Sequence, residues 1–182
     1  MYGVSVAVDS LTRYVERVTK DPCALNMLGV LYERQNLLKS SKKMLTKSLK
    51  LSGAAEQNLV LANLARVLYK LGELEASMKC YQKIQSRDFE SHCGLALSCW
   101  KAGKLEEAYG AYAEALQMAK SGEQRSHILA AMATIAYKFQ VIFLVFARKK
   151  IVETKIFFRV QSQLKHCCFK VCNRILHLFK EY

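Results

Sequence analysis

The chain repeats itself. Three stretches align without gaps: residues 25–32 (LNMLGVLY) run into 33–38 (ERQNLL), residues 61–68 (LANLARVL) into 69–74 (YKLGEL), and residues 92–99 (HCGLALSC) into 100–105 (WKAGKL). Equivalent positions are offset by 36 residues, from Gly29 to Ala65, and then by 31, from Ala65 to Ala96. Periods of that size mark stacked supersecondary units, each burying its apolar face on its neighbours rather than around one central core.

Each unit reads as a helical hairpin. Leu61, Leu64 and Leu68 fall at i, i+3 and i+7, one stripe of a first helix. The small residues Gly29, Ala65 and Ala96 follow the middle leucine and let two helices approach closely. Gly72 and Gly103 supply the turn, where a positive φ suits glycine, and Asn36 stands in for them in the first unit. On the second helix Ala108, Tyr112 and Ala115 share a face at i, i+4 and i+7, as do Ser77, Tyr81 and Ile84, and Ser41, Leu45 and Ser48. With a single proline, Pro22, and eight glycines, the chain is poor in the punctuation an all-β fold needs.

The small–aromatic–small spacing resembles the tetratricopeptide-repeat pattern, whose period is about 34 residues. Residues 71–84 and 102–116 carry it most clearly. Residues 10–22 resemble the second helix and closing Asp-Pro of a preceding repeat, and residues 127–140 the first helix of a following one. The expected fold is all-α: a solenoid of about three full repeats and two halves over residues 1–140.

Beyond residue 140 the character changes. Residues 141–182 hold nine Lys or Arg against two Glu, six of the eight Phe, and no Gly, Pro or Asp. The turn and partner helix due after Gln140 do not appear. A/T-rich codons would give this composition, and Gln140-Val141 is what a CAG-GTA splice donor encodes. The expectation is a basic tail outside the repeat, of alternative or retained-intron origin, whose Ile151, Phe158, Val171 and Leu178 would cap the last repeat if folded. Of the formal net charge of +13, this tail supplies +7. The remaining +6 is expected to lie interspersed with acids on the helix surfaces, a mild bias rather than an RNA-binding stripe.

Several classes of function find no support. There is no Gly-rich phosphate loop, HExxH motif or nucleophile elbow, so neither catalysis nor a cofactor is expected. His92 and His127 sit at core-like repeat positions. Glu73, Glu75, Glu106 and Glu107 open second helices, where they complement the helix dipole. His166, Cys167, Cys168, Cys172 and His177 match no standard zinc spacing, so no metal is expected. Residues 139–147 (FQVIFLVFA) are too short to span a membrane, and residues 1–9 have no secretory pattern. Seven scattered cysteines then read as reduced, mostly buried thiols in the cytoplasm, with the nucleus as a further location.

A protein-binding groove remains. A repeat solenoid presents its first helices to a concave surface, which here should carry Asn26, Glu33, Asn63, Arg66, Lys70, Lys101 and Lys138. The carboxylate clamp of chaperone-binding relatives is incomplete, because Asn26 is followed by Val30 and the third unit offers Glu90, Cys93, Gly94 and Leu97. More specific strings occur at residues 14–18 (YVERV), 24–35 (ALNMLGVLYERQ) and 126–138 (SHILAAMATIAYK). Over residues 10–139 they resemble the long tetratricopeptide scaffold subunits of superkiller (Ski) complexes. That resemblance implies a cytoplasmic scaffold that holds an RNA helicase and a β-propeller and serves the RNA exosome in 3′-to-5′ mRNA decay. Contact with RNA would be indirect or weak. The alternatives are another tetratricopeptide adaptor (ciliary-transport, anaphase-promoting-complex or co-chaperone type) or direct RNA binding through the basic surface.

Overall fold

The computed structural model describes residues 2–150, and side chains from Ser5 to Val141 except that of Ala55. All of its regular structure is helical: α1 Tyr2–Arg17, α2 Pro22–Arg34, α3 Leu38–Leu51, α4 Ala54–Leu71, α5 Leu74–Lys83, α6 Phe89–Lys101, α7 Leu105–Met118 and α8 Gly122–Lys150. Two compact units divide at residue 118. The first is α1 followed by three hairpins, α2/α3, α4/α5 and α6/α7, in which each helix packs against the next.

Local chemistry sets the helix boundaries. Asp21 caps α2, its Oδ1 accepting from Ala24 N at 3.1 Å, with Pro22 in the first turn where its missing N–H costs nothing. Asp88 caps α6 in the same way, through Ser91 N at 2.9 Å. The three hairpin turns are built alike. Asn36, Gly72 and Gly103 have φ of +61°, +82° and +80°. The next N–H reaches back five residues: Leu37 to Tyr32, Glu73 to Leu68 and Lys104 to Cys99, each at 2.9 Å. These are Schellman closures, which need one left-handed residue, and they recur at the sequence offsets of 36 and 31.

Within a hairpin the small positions do what their size predicts. Ala65, Ala96, Ala108 and Ala115 are fully buried, and Leu61, Leu64 and Leu68 form the buried stripe. Gly29 lies so close to Leu45 that an added Cβ would sit 2.6 Å from Leu45 Cγ. The buried serines are bonded across the hairpin: Ser41 Oγ donates to Gly29 O at 2.7 Å and Ser77 Oγ to Ala65 O at 2.8 Å. Both span twelve residues at equivalent positions of successive repeats. A hydroxyl buried without a partner costs about 1–3 kcal/mol, and these carbonyls remove that penalty.

The second unit is described by itself. α8 opens with a reciprocal capping box, Gln124 N donating to Ser121 Oγ at 3.1 Å while Gln124 Oε1 accepts from Lys120 N and Ser121 N. Ile128, Met132 and Ile135 are buried, whereas Ala133 and Tyr137 are exposed. The helix continues through residues 141–150 without a turn. The tail's cysteine–histidine cluster and its capping residues Ile151, Phe158, Val171 and Leu178 lie outside the described residues.

Candidate functional site

Six of the seven groove residues fall on α2, α4 and α6, and the structure joins them across repeats. Asn63 of α4 donates through Nδ2 to Asn26 Oδ1 of α2 at 3.0 Å. Glu33, in the last turn of α2, is gripped by two cations of α4. Arg66 Nε reaches Oε1 at 2.8 Å, Arg66 Nη2 reaches Oε2 at 2.6 Å, and Lys70 Nζ stands 2.8 Å from Oε1. Lys101 of α6 places its ammonium 4.8 Å from the centre of the Tyr69 ring, a cation–π contact from the third repeat back to the second. Lys138 is exposed on α8 in the second unit.

These contacts change what each residue offers. The Glu33 side chain is only 5% exposed, while those of Arg66 and Lys70 are 44% and 45% exposed. Burial alone would favour the neutral acid. The hydrogen bonds from Arg66 and Lys70 outweigh it and hold the Glu33 carboxyl below the usual carboxylate range. The same pairing raises the Arg66 guanidinium further. Glu33 and Asn63 are therefore struts between repeats. The parts of this face open to a partner are the solvent sides of Arg66 and Lys70, together with Lys101 and Leu97. Beneath them lies Tyr81 of α5, packed so closely on Gly94 that a Cβ there would overlap its ring. Burial pushes the Tyr81 hydroxyl up to about 12, so it stays protonated.

Two expectations are corrected. His127 is exposed, not a core residue; of the two, His92 is the buried one, with Nδ1 2.9 Å from Glu114 Oε2. The charges of residues 1–140 are not interspersed either, because α3 holds five lysines and no acid while α7 holds three glutamates and no base. The glutamates that open α5 do more than complement a dipole: Glu73 pairs with Lys42 of α3 at 2.6 Å, and Glu75 with Lys104 at 3.2 Å. Sequence offsets carried a signal for the missed pairs. Glu33 precedes Arg66 by 33 residues and Lys70 by 37, and opposite charges so close to one repeat apart meet on the same side of neighbouring first helices. Among the described residues no group of three or more His, Cys, Asp or Glu could hold a metal, and no helix is long and apolar enough to cross a membrane.

The tetratricopeptide-repeat family matches residues 24–54 and 60–90, the first two hairpins. The third hairpin, unmatched, has the same turn and the same buried small–aromatic–small face. Tetratricopeptide repeat protein 37 of Xenopus laevis is 31% identical over 141 residues, 75% of this chain, and Superkiller complex protein 3 of Mus musculus is 30% identical over 142 residues, 76% of this chain. In both cases the chain spans 9% of the relative's own length. Among solved structures, the crystal structure of MamA superposes with a TM-score of 0.65 at 15% identity, covering 98% of this chain and 92% of that one. The repeated hairpins, their shared turn chemistry and these matches identify the chain as a tetratricopeptide-repeat protein, similar over three quarters of its length to the named superkiller subunit.

Proposed function

We propose that the chain is a scaffold segment of superkiller type, which holds protein partners in the cytoplasm and supports exosome-directed 3′-to-5′ mRNA decay. The observation that carries this reading is the 30–31% identity sustained over 141–142 residues to two proteins, one of them named for the superkiller complex. The identity runs well past the two matched repeats, so it reflects more than the generic pattern. On this reading the partners are an RNA helicase and a β-propeller protein. The docking surface is the side of α2, α4 and α6 bearing Asn26, Glu33, Asn63, Arg66, Lys70 and Lys101, and Lys138 of α8 is a further candidate contact carried by the second unit.

The geometry supports a docking role for that side. The struts at Asn26–Asn63 and Glu33–Arg66–Lys70 fix the spacing of successive first helices, so a partner meets a preformed surface and little ordering entropy is lost on binding. The exposed cations beside Leu97 offer charge for orientation and an apolar contact for anchoring. The boundary of the repeat region falls at residue 140 on the same reading, with residues 141–182 outside it. The unbroken course of α8 through residues 141–150, where a turn is due, supports that boundary. Affinity capture of the tagged full-length chain from cytoplasm, followed by mass spectrometry, tests the proposal: superkiller helicase and β-propeller subunits should be enriched together. Recovery of another tetratricopeptide assembly in their place would refute it.

A further inference from the structure

The second helices of the three hairpins divide their charge unevenly. α3 carries Lys39, Lys42, Lys43, Lys47 and Lys50 and no acidic residue, a net of +5. α5 carries Lys79 and Lys83 against Glu75, a net of +1, and α7 carries Glu106, Glu107 and Glu114 with no base, a net of −3. Glu73 pairs with Lys42. The other four α3 lysines are exposed, and among the described residues none of them makes an ion pair or hydrogen bond.

Their spacing places them on one side. Positions i, i+4, i+8 and i+11 fall within an arc of about 80°, along a row about 16 Å long at the α-helical rise. The opposite face of α3 is spent on packing: Ser41, Leu45 and Ser48 are fully buried. One repeat on, Lys79 and Lys83 take the places of Lys43 and Lys47 at the offset of 36, and both are exposed. α3 and α5 lie against one apolar cluster, with Leu38 and Leu49 of α3 and Ala76 and Cys80 of α5 packed on Leu45, Leu64, Val67 and Leu68. Successive first helices touch directly, α2 with α4 and α4 with α6. The lysine rows therefore ride on the second helices of successive repeats, outside the first helices that bear Arg66 and Lys70.

We infer that this outer lysine face binds the phosphate backbone of single-stranded nucleic acid without reading its sequence. Six exposed ammonium groups on the second helices of two successive repeats give a concentrated positive field, and releasing counterions from a phosphate chain is the strongest reward such a field finds. Lysine is a point charge with no planar fork, suited to backbone contacts rather than to bidentate recognition of a defined carboxylate site. A membrane surface would require apolar side chains on the same arc. Ser40 and Thr46 border this one, with Leu51 at the helix end a single exposed apolar side chain beyond Ser40, while Leu38, Leu45 and Leu49 are turned into the core. The inference does not rest on the superkiller reading, because the docking side of α2, α4 and α6 uses none of these lysines.

The test is fluorescence anisotropy of the full chain with a labelled 20-nucleotide oligo(U), and with oligo(dT) of equal length, between 50 and 200 mM salt. At about 0.7 per single-strand contact, the six lysines give a log–log slope of about −4 and about 300-fold weakening over that range. Oligo(dT) should bind within a few-fold of oligo(U), because ammonium groups do not read the 2′-hydroxyl. The triple variant K39Q/K43Q/K47Q should keep its helical circular dichroism and flatten the slope by about 2. A charge-matched variant in the basic tail, K149Q/K155Q/K165Q, should flatten it by much less. An unchanged slope in the α3 variant overturns the inference, as does an equal loss in the tail variant or no binding by the full chain. Lysine-dependent binding to phosphatidylserine vesicles or poly-glutamate without binding to either oligonucleotide overturns it as well.

Discussion

Replacing Glu33 by Gln removes one buried charge and leaves the shape of the inter-repeat strut intact. Its carboxylate accepts three close contacts from Arg66 and Lys70. Hydrogen bonds to a charged partner contribute about 1.5–3 kcal/mol each, against a desolvation penalty of several kcal/mol for a buried carboxylate. Arg66 and Lys70 are nearly half exposed, so after substitution water receives their charges and the usual cost of an orphaned buried ion does not arise. The balance is a loss of about 1–2 kcal/mol, which lowers the thermal midpoint by about 4 °C for a chain of this size. Circular dichroism melts of wild type and E33Q at neutral pH measure it. Linkage adds a second signature. The carboxyl is depressed in the fold, so its contribution is complete above its unfolded pKa of about 4.3 and is lost as pH falls through the lower folded value. The gap between the two proteins should hold from neutral pH down to about 5 and close in the acid range below. An E33Q protein as stable as wild type at neutral pH, or a gap that widens on acidification, refutes the reasoning.

Three further outcomes follow from the same geometry. Gly72→Ala places a Cβ at φ +82° and should cost about 1–2 kcal/mol in a urea melt, whereas Gly53→Ala, with open space and an extended backbone, should cost under about 0.5 kcal/mol. Gly29→Ala gains about 1 kcal/mol of helix propensity but drives a Cβ into the buried Leu45, and the overpacking of about 1–3 kcal/mol should make the variant no more stable than wild type. Burial, reinforced by the Glu107 carboxylate, pushes the Cys99 thiol up to about 11, so iodoacetamide at pH 8 should alkylate exposed Cys23 well before Cys99; equal rates by peptide mapping would contradict the packing of α6.

The hairpins were legible because their constraints are local. Gly72, Gly103 and Asn36 each had to supply a left-handed residue at a fixed distance from an apolar stripe, and each does. Serine at a small-residue position, as at Ser41 and Ser77, reads correctly as small. Its hydrogen bond to a carbonyl twelve residues earlier is a tertiary fact that helical periodicity does not contain. Glu33 shows the same limit from the other side. Periodicity puts it on the groove side of α2, but its burial depends on two cations a repeat away. The lysine row was visible at positions 39, 43, 47 and 50, yet a charge of +6 averaged over 140 residues conceals one helix at +5 and another at −3. His127 reads as a core position by alignment with the earlier units, and its exposure on α8 marks where the repeat pattern weakens.

The most direct test of a superkiller-type scaffold is co-elution. The purified full-length chain would be mixed with a superkiller helicase and β-propeller subunit and run on analytical size exclusion, alongside a variant carrying L97D and K101E on the face of α6. The account predicts a shared, earlier-eluting peak for wild type and separate peaks for the variant. Separate peaks for wild type, or a shared peak indifferent to both substitutions, would contradict it.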